Sequence, residues 1–237
     1  MLFEQVNISI AGEDALIVYF ADSVSGLAFE KIQWATDRIR ENMADTLVDL
    51  IPSYTSILVV FDIFVTDHHS VRKQLRSLLQ HSENYTPIQA KVIELPVYYG
   101  LEAGPDLQRI ADKSALTIEE VIKVHQAQEY MVFAIGFAPG FAYLGEVDKS
   151  IAMPRLSTPR LSVPKGAVAI ADRQTAIYPS VSPGGWNIIG LCPIDMFDSS
   201  AEPCMPVKVG DKVKFTAISR NEYLALGGKL AQYEEGE

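Results

Sequence analysis

GFAPGFAYLGEVDKSIAMPRLSTPRLSVPKGAVAIADRQTAIYPSVSPGGW, residues 136–186, decides how the second half of this chain is read. It holds six of the chain's 15 glycines and six of its 13 prolines. Proline lacks the helical donor and glycine loses the most backbone entropy, so helices reject this composition. Short strands separated by turns remain. The stretch also carries Lys149, Arg155, Arg160, Lys165 and Arg173 against Glu146, Asp148 and Asp172, in a chain of net charge −10. A stiff, locally basic loop surface on an acidic protein suits an anionic small ligand. The competing reading is a run of hairpins with ordinary surface arginines.

Downstream, the segments 163–171, 175–178, 186–191 and 212–218 read as strands. Pro183-Gly184-Gly185 and Val209-Gly210-Asp211-Lys212 read as tight turns between them. With the apolar strand 130–137, they predict a closed or nearly closed β-barrel. Just upstream, Pro105 opens a short helix with Asp106 in its first turn. Thr117-Ile118-Glu119-Glu120 is a capping box for a second helix, which carries His125 and ends near Gln128.

The N-terminal part reads differently. Apolar segments 5–11 and 14–20 precede a helical pattern from Ser25 to about Met43, with Leu27, Ile32, Trp34, Ile39 and Met43 at inward spacing. Strands follow at 47–52 and 56–61. Asp67 caps a second helix with Val71, Leu75, Leu78 and Leu79 on one side, and 91–99 is a further strand. The order β, α, β, β, α, β predicts a ferredoxin-like split βαβ module. The fold class is therefore α+β. The boundary falls near Pro87 to Tyr99, dividing the chain into domains at 1–90 and 91–237.

Composition excludes several classes. At 237 residues, 48% hydrophobic and 21% charged, the chain can build a sizeable core. Its net charge of −10 argues against nucleic acid and against an anionic membrane surface. No secretory signal and no apolar run of membrane-spanning length is visible, so a cytoplasmic protein is expected. Cys192 and Cys204 have no histidines nearby and read as reduced structural thiols, and no metal site is expected. Adjacent His68 and His69 diverge by about 100° on a helix. Like His81, they read as solvated.

Phosphate-loop, dinucleotide-binding, nucleophile-elbow and HExxH signatures are absent, so no cofactor is expected on this chain alone. A pocket argument remains. Arg155 and Arg160, stiffened by Pro154 and Pro159, suit a carboxylate or a carboxylated intermediate. Gln174 and Tyr178 offer neutral hydrogen bonds, while Phe141, Tyr143 and Trp186 offer apolar walls. His125 reads either as a base that titrates near neutrality or as a helix-end residue packed under the barrel. The candidate catalytic residues are His125, Arg155 and Arg160. The alternative makes both arginines surface ion-pair partners and the aromatics barrel core.

Several stretches together carry a specific likeness: Gly104-Pro105-Asp106-Leu107, IGFAPGFAYLG at 135–145, PRLSTPRLSVPKGAVAIADRQTAIYP at 154–179, and SPGGWNIIG at 182–190. They resemble the family called allophanate hydrolase subunit 1, also known as KipI-like or as the B subunit of prokaryotic 5-oxoprolinase. The resemblance implies a ferredoxin-like N-terminal domain and a cyclophilin-like β-barrel C-terminal domain. It implies a heteromer with a homologous subunit 2 (the C subunit) and with a LamB/YcsF-type protein (the A subunit). Together these use ATP to open 5-oxoproline to glutamate. Fused relatives form the carboxyltransferase domain of biotin-dependent urea carboxylase, and one branch inhibits a sporulation histidine kinase. No biotin-attachment motif is present here.

Pro139, Gly140, Lys165, Gly184 and Gly185 lie within the matching motifs and join the candidate substrate-binding residues. Leu101 stands where the family pattern has a second glycine. Ala169, Asp172 and Ala176 fall near positions where relatives carry glycine, which narrows the loop before Gln174.

Overall fold

Alternation along the strands decides which face is buried. In β2 (Ala15–Tyr19) and β4 (Ser56–Phe61), Leu16, Val18, Ile57, Val59 and Phe61 are buried, while Ile17, Leu58 and Val60 are only half-buried on the opposite face. The computed structural model of the chain describes residues 6–23, 26–80 and 91–230. It divides into two units, 1–90 and 91–237. Expectations on Ser25, His81, Pro87, the Leu27 side chain and the acidic tail from Gln232 lie outside the described residues.

In the first unit, β1 (Asn7–Ile10), β2, β4 and β3 (Leu47–Pro52) form an antiparallel sheet in the order β1-β2-β4-β3. Helices α1 (Gly26–Met43) and α2 (His68–Gln80) pack on the sheet and on each other, so both lie on one face. Phe29, Ile32, Ala35, Ile39 and Met43 recur at three- and four-residue spacing and are buried in α1. Trp34, expected inward, is only partly buried and packs against the edge of this core. Val71, Leu75 and Leu79 are buried in α2, and the carboxylate of Asp67 accepts the Ser70 amide at 2.8 Å. His69 is exposed, as read. His68 is half-buried, 5.0 Å edge-on to Phe61, with Nε2 3.0 Å from the Gly12 carbonyl.

The split β2-α1-β3 arrangement around β4 is present, but the expected sixth element is not part of this sheet. Strand β5 (Val92–Val97) pairs in parallel with β13 (Lys212–Ala217) in the second unit. The edge beside β2 is taken by β1, folded back through the Gly12-Glu13-Asp14 hairpin. Sequence order assigned 91–97 to the wrong sheet, because a strand's period says nothing about its partner.

After β5, the second unit continues with α3 (Leu107–Ser114) and α4 (Ile118–Gln126). Around them lie β6 (Glu129–Ile135), β7 (Ala142–Gly145), β8 (Arg160–Val163), β9 (Ala167–Ala171), β10 (Gln174–Ile177), β11 (Ser182–Gly184) and β12 (Asn187–Leu191). Seven strands form one sheet in the order β12-β9-β10-β7-β6-β13-β5. The sheet curls until its edges meet. Tyr98, just past β5, exchanges both backbone hydrogen bonds with Leu191 of β12, each at 2.9 Å. Strands β8 and β11 form a separate ribbon, so Pro183-Gly184 is a paired strand and not the turn expected.

Strand β9 shows how the unit is layered. Val168 and Ile170 join a core with Leu95, Val132, Leu144 and Phe215, covered by Leu107, Ile110 and Val121 of the helices. Ala167, Ala169 and Ala171 face the other way, into a second cluster with Phe141, Tyr178 and Trp186. Small residues on that face leave room for large rings.

The Thr117/Glu120 capping box is formed as expected. A second one, not read from the sequence, forms at Ser219/Glu222 and starts α5 (Arg220–Ala225), a helix too short to show a period of its own.

Candidate functional site

The β6–β7 hairpin loop, 136–141, delivers Phe141. Its closure needs an unusual backbone: Gly140 sits at φ +87°, where an added Cβ would lie 2.7 Å from the Met196 carbonyl oxygen. Pro139 occupies the turn ahead of it. Phe141 is the hub of the aromatic group. Its ring lies 4.9 Å from Tyr143, 5.3 Å from Tyr178 and 5.7 Å from Trp186, all edge-on. Phe141, Tyr178 and Trp186 are buried and Tyr143 is half-buried. The expected apolar walls are thus packed on one another and on the alanines of β9 and β10. They form a packed aromatic floor.

Phe137, in the same loop, is 71% exposed at φ +74° and lies 5.4 Å edge-on to Phe141. A bulky residue in left-handed backbone is strained, and such strain concentrates at functional loops. In the sequence this residue stands out only as part of a longer motif.

Gly184 brings the chain flush against the floor, while Gly185 faces Leu156 and Pro159. A Cβ on Gly184 would lie 2.3 Å from the Tyr178 hydroxyl. Burial raises the pKa of that hydroxyl. A hydrogen bond from the Trp186 backbone and the charges of Arg155 and Arg160 oppose the rise.

The two arginines differ. Arg160 Nη2 donates to Asp106 Oδ1 at 2.9 Å, and its Nη1 lies 3.4 Å from the Trp186 carbonyl. The second oxygen of Asp106 accepts the Ile188 amide at 2.7 Å. Asp106 is 5% exposed and makes no side-chain cap on α3, so its expected helix-start role gives way to tying α3, β8 and β12 together. Arg160 is therefore a partly buried ion-pair partner, the alternative weighed for it from the sequence. Arg155 is exposed, and its guanidinium lies 5.8 Å from the centre of the Trp186 ring.

Other candidates lie apart from this floor. His125 is fully buried, with Nδ1 2.9 Å from the Tyr99 hydroxyl and Nε2 3.1 Å from Thr175 Oγ1, and it stacks on Phe215 at 4.7 Å. Burial pushes its pKa down to about 3. It is a neutral core residue packed beneath the sheet, and its reading as a near-neutral base is corrected. Lys165 pairs with Asp195 at 2.7 Å and lines a cavity of about 310 Å³ with Cys192, Tyr223 and Lys229. Gln174 opens β10, opposite Gly145 of β7. Cys192 is buried as expected, its thiol pushed up to about 12, whereas Cys204 is exposed.

Asp172, where glycine is expected from the family pattern, sits at φ +52°, a conformation that Asp tolerates better than most residues. No group of three or more potential metal ligands occurs among the described residues, and no helix there is long and apolar enough to cross a membrane.

At the floor, then, the structure assembles a stacked guanidinium, a paired guanidinium, two phenols and an exposed strained aromatic. Such groups are of the kind that bind and orient a ligand; none of them is a nucleophile. Asp106 and Asn187 are the residues sequence reasoning missed here. Asp106 carried a helix-start signal and a place in a family motif, neither of which names its partner 54 residues away.

The chain is similar to known proteins. The carboxyltransferase domain, subdomain C and D, matches residues 6–207. A protein of Bacillus subtilis (strain 168), named as the B subunit of 5-oxoprolinase, is 36% identical over 224 residues, covering 90% of this chain and 93% of its own length. One of the same name from Escherichia coli O157:H7 is 34% identical, with 87% and 93% covered. The crystal structure of TTHA0988 superposes with a TM-score of 0.77 at 30% identity, over 92% of this chain but only 41% of that longer one. The Kluyveromyces lactis urea amidolyase shares the fold, with a TM-score of 0.72 at 16% identity, over 93% of this chain and 15% of its own. The chain belongs to the family of 5-oxoprolinase B subunits and carries the carboxyltransferase domain, subdomain C and D.

Proposed function

We propose that this chain is one subunit of an ATP-dependent 5-oxoprolinase, which converts 5-oxoproline, ATP and water to glutamate. It works in a heteromer with the homologous subunit 2 (the C subunit) and the LamB/YcsF-type A subunit, in the cytoplasm, and is inactive alone. ATP is used by the assembled complex. The observation that carries the reading is identity of 34–36% along nearly the whole chain to proteins named as the B subunit of that enzyme. The floor supports it as half of a composite site. Arg155, Tyr143, Tyr178 and Trp186 offer binding groups, with Pro139, Gly140, Gly184 and Gly185 shaping the backbone around them. No nucleophile is needed from this half, because electrostatic stabilisation of bound species suffices. In fold terms, the second unit is read as a cyclophilin-like barrel, and the first as ferredoxin-like in its split βαβ core.

The test is co-expression with the two partner proteins, each omitted in turn, followed by measurement of ATP-dependent glutamate release from 5-oxoproline. Loss of activity when this chain is omitted supports the proposal. A stable heteromer without activity on 5-oxoproline would instead favour a carboxyltransferase component acting on another amide. Absence of both activity and heteromer would favour an inhibitor of a sensor histidine kinase.

A further inference from the structure

The cations of residues 136–186 are not equivalent. Arg160 is paired with Asp106 at 2.9 Å, Lys165 with Asp195 at 2.7 Å and Arg173 with Glu146 at 2.8 Å. Lys149 adjoins Asp148, whose carboxyl is held below the usual range by hydrogen bonds from Ser150 first, with Arg173 and Lys149 adding to the effect. Arg155 is the cation of this stretch that lies on the aromatic floor with no carboxylate within ion-pairing distance among the described residues.

Its backbone is held on both sides. The Pro154 carbonyl accepts from Asn187 Nδ2 at 3.0 Å, and the Leu156 amide donates to the Gly185 carbonyl at 2.7 Å. Asn187 is fully buried and donates a second bond to the Ile170 carbonyl at 2.9 Å, which anchors it to β9. The loop bearing Arg155 is thus clamped to the segment bearing Trp186, the ring on which the guanidinium rests. A guanidinium over an aromatic face loses water from that face and keeps its edge donors free. Two parallel N–H donors on a fixed edge match a planar carboxylate.

We infer that this floor recognises a single carboxylate through Arg155, and that Arg160 contributes no net charge to recognition. Arg155, Arg160 and Asp106 together sum to one positive charge. That balances a small carboxylate with a neutral body and leaves a phosphate dianion under-compensated. The inference rests on the reading that this floor binds substrate, and it narrows the ligand from any anionic intermediate to a monoanionic carboxylate.

The test uses the full chain in a Trp34→Phe background, where Trp186 is the remaining tryptophan. Trp186 emission is titrated with 5-oxoproline, with its uncharged carboxamide and with inorganic phosphate. In parallel, the assembled complex is assayed for KM and kcat. Saturable binding of 5-oxoproline is expected, with the carboxamide and Arg155→Gln each weaker by about tenfold to a hundredfold, the range of one charge-assisted pair. Arg155→Lys, which keeps charge but not the bidentate edge, should fall between. In the complex, Arg155→Gln should raise KM by a similar factor with kcat within about twofold. Asp106→Asn, which frees the Arg160 charge, should shift preference toward phosphate.

Phosphate competing as well as the carboxylate overturns the inference. So does Arg155→Gln binding 5-oxoproline unchanged, or no saturable response in either measurement. Turnover of 5-oxoproline indifferent to Arg155→Gln would remove the inference and leave the enzyme reading standing. Arg155-dependent binding of 5-oxoproline in a complex that does not turn it over would do the reverse.

Discussion

Lowering the pH from about 7.5 to about 5 should cost the C-terminal unit about 2 kcal/mol through His125 alone. In the folded chain the ring is fully buried and holds its pKa near 3, against an ordinary value of 6.5. Its neighbours from every packed element are neutral: Tyr99, Thr175, Tyr130 and Phe215. Below pH 6.5 the unfolded chain takes up a proton that the folded chain refuses, so stability falls as pH falls through 6.5, and this loss levels off near 3. At pH 5, one and a half units below the unfolded value at about 1.4 kcal/mol per unit, the loss is about 2 kcal/mol. Urea unfolding followed at Trp186, in a Trp34→Phe background, measures it against His125→Gln. Carboxylates titrate equally in both proteins, so the difference between the two pH dependences isolates the imidazole. Equal losses in both proteins would refute the reasoning and mean that His125 is protonated, or solvated, in the folded state.

Asp106→Ala should destabilise by about 3 kcal/mol in the same unfolding assay, because it strands the partly buried Arg160 charge and the Ile188 amide together. Gly184→Ala should cost about 1–3 kcal/mol, since its Cβ must displace the buried Tyr178 hydroxyl. Phe137→Gly should leave the thermal midpoint unchanged or raise it, because release from φ +74° offsets glycine's added unfolded-state entropy. A thiol reagent at neutral pH should modify Cys204 rapidly and Cys192 only on unfolding, since Cys192 is 3% exposed with its thiol pushed up to about 12.

Where elements are set by neighbours a few residues apart, they are legible in the chain itself. Strands 47–52 and 56–61 and the Thr117 capping box fall where the pattern places them. The start of α5 is written locally too, in Ser219 and Glu222, although the six residues that follow are too few to show a helical period. Strand β7 is hidden because its glycine- and proline-flanked text reads as loop, and only pairing with β6 and β10 makes it a strand. The likeness to the family of 5-oxoprolinase B subunits and the basic, aromatic-rich stretch at 136–186 are likewise properties of the sequence.

Tertiary structure alone decided the rest. Val92–Val97 carries the same pattern in either sheet. It joins the second because β13, about 120 residues on, offers an open edge in parallel register. Two arginines alike in local text diverge because one meets Asp106 across 54 residues and the other rests over Trp186. His125 is neutral because a folded core closes around it. Period and capping are short-range properties that a chain carries with it. Charge state, pairing partner and exposure depend on what distant residues bring alongside, and so they exist only once the chain has folded.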